Sequence, residues 1–289
     1  MATRTWARWA GYGAAALAGA AAAGIVAGAW RWRTLTDGLM ARLEAAGRPL
    51  SSSRVDYREL EGLPPIVQRY FRAVLTDGAP VVTGATLAHT GHFNMSETGQ
   101  TWVPFRSTQH VVTQRPGFVW DARIRLMPGL AVHVHDAYVA GEGVLHPALL
   151  GLVTLSDIRG TGEIAQGELM RFFAEAAWYP TALLPGQGVC WEVVDDRSAR
   201  ATLTDGPLSL TLSFSFDDDG LMTGVRAEAR GRTVSGRVVP TPWEGRWSAY
   251  EVRGGMRVPT EGEVAWILAD GRQPYWRGRL RSATYTFAP

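Results

Sequence analysis

The chain has 289 residues with 29 basic and 27 acidic side chains, a formal charge of +2, and every basic residue is Arg. The missing Lys excludes Schiff-base and P-loop chemistry. With Arg4, Arg8, Arg31 and Arg33 set aside, 25 Arg face 27 acids, so no basic face for nucleic acid is expected.

Residues 10–29 carry no charge and are mostly Ala and Gly, with Arg4 and Arg8 before them and Arg31 and Arg33 after. Twenty residues span about 30 Å as a helix. Trp6, Trp9, Trp30 and Trp32 stand at the two ends, where amphipathic rings favour lipid headgroups. The reading is a transmembrane anchor over 1–33, with the bilayer as a partner through 10–29. Ala27-Gly28-Ala29 also fits a cleaved signal peptide. The default direction of such an anchor puts the protein in the cytoplasmic membrane with its domain outside the cytoplasm.

Residues 34–59 read as a juxtamembrane helix and a linker, and 60–289 as the folded domain. Pro65 opens a short helix in which Val67, Tyr70, Phe71 and Val74 share one face. Strands follow. In 118–126 apolar residues alternate with Asp121, Arg123 and Arg125; in 208–216 Leu and Phe alternate with Ser and Thr, and Asp217-Asp218-Asp219-Gly220 turns that run into 225–230 as a hairpin. Further runs lie near 83–95, 100–114, 131–140, 189–195, 199–205, 246–253, 262–269 and 276–287. One helix interrupts them between Gly162 and Tyr179, with Arg171 and Glu175 spaced for an i, i+4 pair. The predicted fold is mainly β (α+β): a curved antiparallel half-barrel sheet covered by short helices and preceded by one N-terminal transmembrane helix.

Twelve Trp and nine Phe supply aromatic surface for a core or a cavity. The expected apolar wall is Trp102, Phe118, Trp120, Trp178, Trp266 and Trp276, with Arg171 and Glu175 at the mouth to meet a polar group. A rim ion pair is the plainer reading of Arg171 and Glu175, as is cross-strand pairing for Glu263 and Arg277. His133-Val134-His135-Asp136 puts two imidazoles on one strand face and Asp136 on the other, two ligands rather than three, so no metal is expected. Cys190, the single cysteine, reads as core. Nucleophile-elbow, zincin, dinucleotide and P-loop motifs are all lacking, and no cofactor is expected.

Pro65-x-Val67-x-Arg69-Tyr70, Gly117-Phe118-Val119-Trp120-x-Ala122, Asp136-x-Tyr138-x-x-Gly141-x-Gly143, the Arg171 to Leu184 stretch and the Pro259 to Gly278 stretch together resemble a bacterial family of membrane-associated proteins classed as a domain of unknown function. In pattern alone the domain also resembles the periplasmic lipoprotein-carrier superfamily, which implies a half-barrel around acyl chains. Three functions follow as expectations: a membrane-tethered, non-enzymatic binding protein for a lipid or other apolar ligand; a hydrolase-type enzyme on a lipid or envelope substrate using Asp136, Glu175 and Glu263; or a packed module that docks a protein partner and has no cavity.

Overall fold

The structure, a computed structural model, describes residues 2–48, 52–96, 99–234 and 236–289, with side chains from residue 19 on apart from Ala21. A helix α1 (Ala2–Ala45) is followed by α2 (Pro65–Val74) and then by β1 (Val82–Asn94), β2 (Trp102–Val112), β3 (Gly117–Met127), β4 (Leu130–Val139), β5 (Glu142–Leu149), β6 (Val153–Thr154) and β7 (Ile158–Gly160). After α3 (Glu163–Ala174) come β8 (Cys190–Asp195), β9 (Ser198–Asp205), β10 (Leu208–Phe216), β11 (Met222–Val234), β12 (Arg237–Arg253), β13 (Met256–Leu268) and β14 (Gly271–Phe287).

These strands form one open antiparallel sheet in the order β6-β5-β4-β3-β2-β1-β14-β13-β12-β11-β10-β9-β8, with β7 on β5. Two meanders thus run outward from the centre, where β1 pairs with β14 from Val82↔Phe287 to Phe93↔Trp276. The predicted alternation is realised in β10, where Leu210, Leu212, Phe214 and Phe216 are buried and Ser209, Thr211 and Ser215 exposed. Cys190 departs from expectation: its neighbours Val189 and Trp191 take the inward positions of the same alternation, and the thiol is exposed.

The sheet's inner face is filled mostly by its own chain. Helix α3, which links the two meanders, packs on β3, β4 and β5 of one and on β10 and β11 of the other. Its N-terminal turn lies so close to β5 that a Cβ at Gly143 would come within 2.6 Å of the Ile164 and Ala165 backbone, which accounts for the glycine there. Short 3-10 turns from Glu175 to Gln187 continue through the interior. They are pinned where Trp178 Nε1 donates to the Pro259 carbonyl, Trp191 Nε1 to that of Leu183, and the Val82 amide to Thr181 Oγ1. Tyr138 Oη donates to Asp205 Oδ2 at 2.9 Å and Arg115 reaches Oδ1 at 3.3 Å, so the turns at one end of the two meanders are clasped together.

The outer face of β3, β4 and β5 is covered by α1. Leu39 and Leu43 pack on Val119, Ala137, Val139 and Val144. Trp32 stacks on His135 at 3.8 Å between centroids, meets His133 edge-on, and donates Nε1 to Asp121. Arg31 donates to the carbonyls of Gly151 and Leu152. The two tryptophans expected side by side at a membrane surface are therefore separated, Trp30 being 71% exposed and Trp32 2%. Among the described residues no helix is long and apolar enough to cross a membrane. Of the anchor expected over 10–29, the side chains of 10–18 and Ala21 lie outside the described ones.

Candidate functional site

Under α3 the inner face encloses a cavity of about 90 Å³. Its walls are aromatic: Trp120, Trp178, Trp243, Trp247, Tyr275 and Trp276 all border it. Three glycines set the position of two of these rings. Gly91, Gly278 and Gly262 are direct neighbours across β1, β14 and β13. With no Cβ in that row, the two rings lie flat against backbone: a Cβ on Gly262 would stand 2.6 Å from Trp247, and one on Gly278 closer still to Trp276.

The polar end of the cavity is carried by α3. Glu168, Arg171 and Glu175 recur at i, i+3 and i+7, so one helix face delivers all three. Arg171 donates Nε to Glu175 Oε1 at 2.8 Å and Nη1 to Asp136 Oδ2 of β4 at 2.5 Å, and its guanidinium lies 4.8 Å from the Trp120 ring centre and 5.0 Å from that of Phe118. Gln109 of β2 donates Nε2 to the second oxygen of Glu175 at 2.7 Å. The Arg171 side chain is 14% exposed and that of Glu175 13%, so the i, i+4 pair is an interior pair and not the rim contact of the plainer reading. Burial works against the Arg171 charge, but Glu175, Asp136 and Glu168 outweigh it and hold the group above its ordinary pKa.

Two neighbours of this cluster respond in the opposite sense. Burial, with the negative charge of Asp136 added, pushes the Glu168 carboxyl well above the usual range, and its proton bonds to Asp136. Glu168 thus favours its protonated form, while Asp136 and Glu175 bond to Arg171. On β1, burial and then the Arg171 charge press His89 down to about 3. That imidazole is 2% exposed, 4.4 Å from the Trp178 ring, and neither nitrogen has a partner in the structure. Arg230 completes the cavity wall, its guanidinium 5.0 Å from the Trp243 ring centre.

Of the expected site residues, Trp120, Trp178, Trp276, Arg171 and Glu175 border the cavity, and Phe118 is fully buried beneath Arg171. Trp266 lies one ring further out, stacked on Tyr275 at 5.5 Å. Trp102 is a correction. In β2 it is Val103, Phe105 and Ser107 that turn inward, so Trp102 stands on the outer face with Arg277 4.5 Å above its ring. Asp136 and Glu175 converge as the acid–base alternative requires, whereas Glu263 is on the outer face, paired with Arg277 as its register predicts and also with Arg272.

Several members of the site were not read from the sequence. Glu168 carries a usable signal, since it stands one turn before Arg171. Trp243 and Trp247 alternate with Glu244 and Arg246 and were likewise readable. Arg230 was not: counted along β11 it belongs with the outward Arg226 and Glu228, but the register shifts between Ala227 and Arg230 and turns it to the cavity. The imidazoles expected on one strand face are there, with Asp136 on the other, but His133, His135 and His146 surround Trp32, and no group of three or more metal-capable side chains is placed to hold an ion among the described residues.

No curated protein matches the chain. Among solved structures, a LolA superfamily protein from Nitrosomonas europaea aligns with a TM-score of 0.33 and 12% identity over 78% of this chain and 93% of that one. A beta-barrel-like protein of the domain of unknown function DUF1849 from Brucella abortus aligns with a TM-score of 0.26 and 9% identity over 71% and 99%. The family model that matches residues 61–285, from the turn before α2 almost to the end of β14, is that of a family of unknown function, and the chain belongs to this family, DUF6920.

Proposed function

We propose that this is a membrane-tethered, extracytoplasmic binding protein, held to the bilayer through residues 10–29, whose domain takes an amphipathic ligand with its polar end at Arg171 and its apolar part against the tryptophans. The observation that carries the reading is the cavity itself: seven aromatic side chains line one part of it and a desolvated ion network the other. Buried ion networks cost stability compared with apolar packing of the same volume, so their retention beside a void points to a ligand.

The volume limits what enters. Drug-sized ligands occupy roughly 300–1,000 Å³, and about 90 Å³ accommodates a headgroup or a short apolar group, not an acyl chain. A longer chain needs the Glu175 to Gln187 segment to yield. Purified full-length protein, extracted from a membrane-rich host, is expected to carry a bound amphiphile by native mass spectrometry and to melt higher when phospholipids or short amphiphiles are added. If it is ligand-free and its melting temperature is indifferent to every amphiphile, the reading is wrong.

One observation favours a second reading, an acid–base site on a lipid or envelope substrate. Glu168, whose carboxyl burial pushes up, is hydrogen-bonded to Asp136, and carboxyls paired in this way can divide acid and base roles. It predicts that Glu168→Gln abolishes turnover of an ester or glycosidic envelope substrate while leaving its binding intact.

A further inference from the structure

The cavity already holds two cations, and it treats them alike. The Arg171 guanidinium sits over Trp120 and Phe118 and against two carboxylates; that of Arg230 sits over Trp243 and is close enough to Glu168 to oppose the rise in its pKa. Three further tryptophans border the same space with no guanidinium over them among the described residues. Trp178 meets Trp247 at 5.0 Å and 68°, and Trp276 at 6.4 Å and 59°. Mutually inclined rings of this kind present negative π faces to a common volume, the arrangement that recognises alkylated ammonium groups.

Charge and hydrogen bonding point the same way. Asp136, Glu168 and Glu175 are three carboxyls against the two guanidiniums of Arg171 and Arg230. Asp136 Oδ1 and Glu168 Oε2 receive no bond from any other residue's N–H or O–H in the structure. On the wall between them and the outer face, Trp247 Nε1 is buried and has no acceptor. The surplus carboxyl is balanced by the proton that Glu168 retains, so an entering cation has a proton to displace, and Trp247 Nε1 lacks an acceptor oxygen.

On the reading of this cavity as a binding site, we infer that its occupant carries an alkylammonium group next to an oxygen acceptor. The ammonium sits in the cavity against Trp178, Trp247 and Trp276 and donates to Asp136, and the oxygen accepts from Trp247 Nε1. An aminoethanol unit has this chemistry, either free or as the head of a phospholipid. An anion finds Arg171 already facing Asp136 and Glu175 and would have to pair with Arg230, the alternative that the glycolate arm of the test reads. The incoming cation supplies the charge that the Glu168 proton otherwise supplies. Binding therefore releases that proton, and affinity rises with pH for as long as Glu168 is protonated in the free protein and the amine remains charged.

The test uses the full chain in nonionic detergent, titrated with ethanolamine, ethylene glycol and glycolate by ligand-observed NMR, and in parallel in nanodiscs of phosphatidylethanolamine or phosphatidylglycerol with tryptophan fluorescence as readout. Ethanolamine is expected to bind at least tenfold more tightly than the neutral and anionic probes, to tighten between pH 6 and 8, and to be weakened at least tenfold by Glu168→Gln. A fluorescence response to phosphatidylethanolamine alone, without binding of ethanolamine, assigns the group to a lipid head; binding of ethanolamine without a lipid preference assigns it to a free amino alcohol. If ethylene glycol or glycolate binds as well as ethanolamine, the ammonium inference fails while the binding reading stands. If no probe or lipid is bound, both fail. Should Glu168→Gln not fold, the pH dependence of the native protein decides, and flat or falling affinity overturns the inference.

Discussion

Two arginine–carboxylate groups in this domain are built from the same side chains on opposite faces of one sheet. Inside, Arg171 is shared by Asp136 and Glu175 beneath α3, with side chains 14%, 18% and 13% exposed. Outside, Glu263 is shared by Arg272 and Arg277, the latter 51% exposed, and Arg272 reaches Glu244 at 2.9 Å. Water reaches Arg277 and makes that arm dispensable, although Arg272 and Glu244, 19% and 20% exposed, are nearly as screened as the inner residues. The absence of water makes the inner group costly to assemble and far costlier to break, because a charge left alone there has no solvent to turn to.

The inner group depends most on Arg171. Arg171→Met strands Asp136 and Glu175 in the interior, and a loss of about 3–5 kcal/mol in denaturant unfolding is expected; a loss under about 1 kcal/mol would mean that water already reaches the pair. Next comes the contact that gives this half of the sheet two dry faces. Trp32→Ala removes the stack on His135 and is expected to cost about 3 kcal/mol, with faster amide hydrogen exchange in β4 and β5; unchanged exchange there would show that α1 does not hold those strands. Gly143→Ala forces a methyl group into the α3 backbone and is expected to destabilise by about 1–3 kcal/mol, measured by the shift in urea midpoint.

Acid sharpens the same distinction. Burial, the largest cause in each case, lowers His89 to about 3, His133 to about 4 and His135 to about 3. Their unfolded forms bind protons near pH 6.5 and the folded forms do not. Stability is therefore fully present above about pH 6.5 and declines towards pH 4, by about 1.4 kcal/mol per pH unit for each histidine. Denaturant midpoints at pH 7.0 and 5.0 should differ in the native protein and differ less in His135→Gln; equal differences would remove His135 from the account. The smallest effect belongs to the outer group, where Arg277→Met is expected to change stability by under about 1 kcal/mol, since Arg272 remains on Glu263.

What was legible in the sequence was whatever depends on period. The strand runs, the hairpin through Asp217–Gly220, the Arg171–Glu175 spacing and the Glu263–Arg277 pairing all follow from alternation or helical pitch, and all are present. Strand β5 was not read, because Gly143, His146 and Pro147 interrupt its apolar pattern; what holds it is pairing with β4 and the close approach of α3. Bulges hid more. The shift between Ala227 and Arg230 turns an outward arginine inward, and that between Val264 and Ala265 accompanies two consecutive residues, Tyr275 and Trp276, bordering one cavity. The burial of Trp32 was hidden for another reason: a helix that reads as anchor and juxtamembrane stem carries no sign, in its own residues, that a histidine-lined strand face awaits it.

The pairing of β1 with β14 at the middle of the sheet has a consequence for how the protein is made. The strand that begins the sheet waits for the one that ends it, about two hundred residues later, with Thr83 bonding to the carbonyl of Thr286. Until the ribosome has released β14, each meander exposes an unpaired central edge, and closing that seam is a long-range event of the kind that slows folding. The nascent chain therefore passes through a stage with two open edges and an uncovered aromatic interior, the species that a chaperone would have to shield.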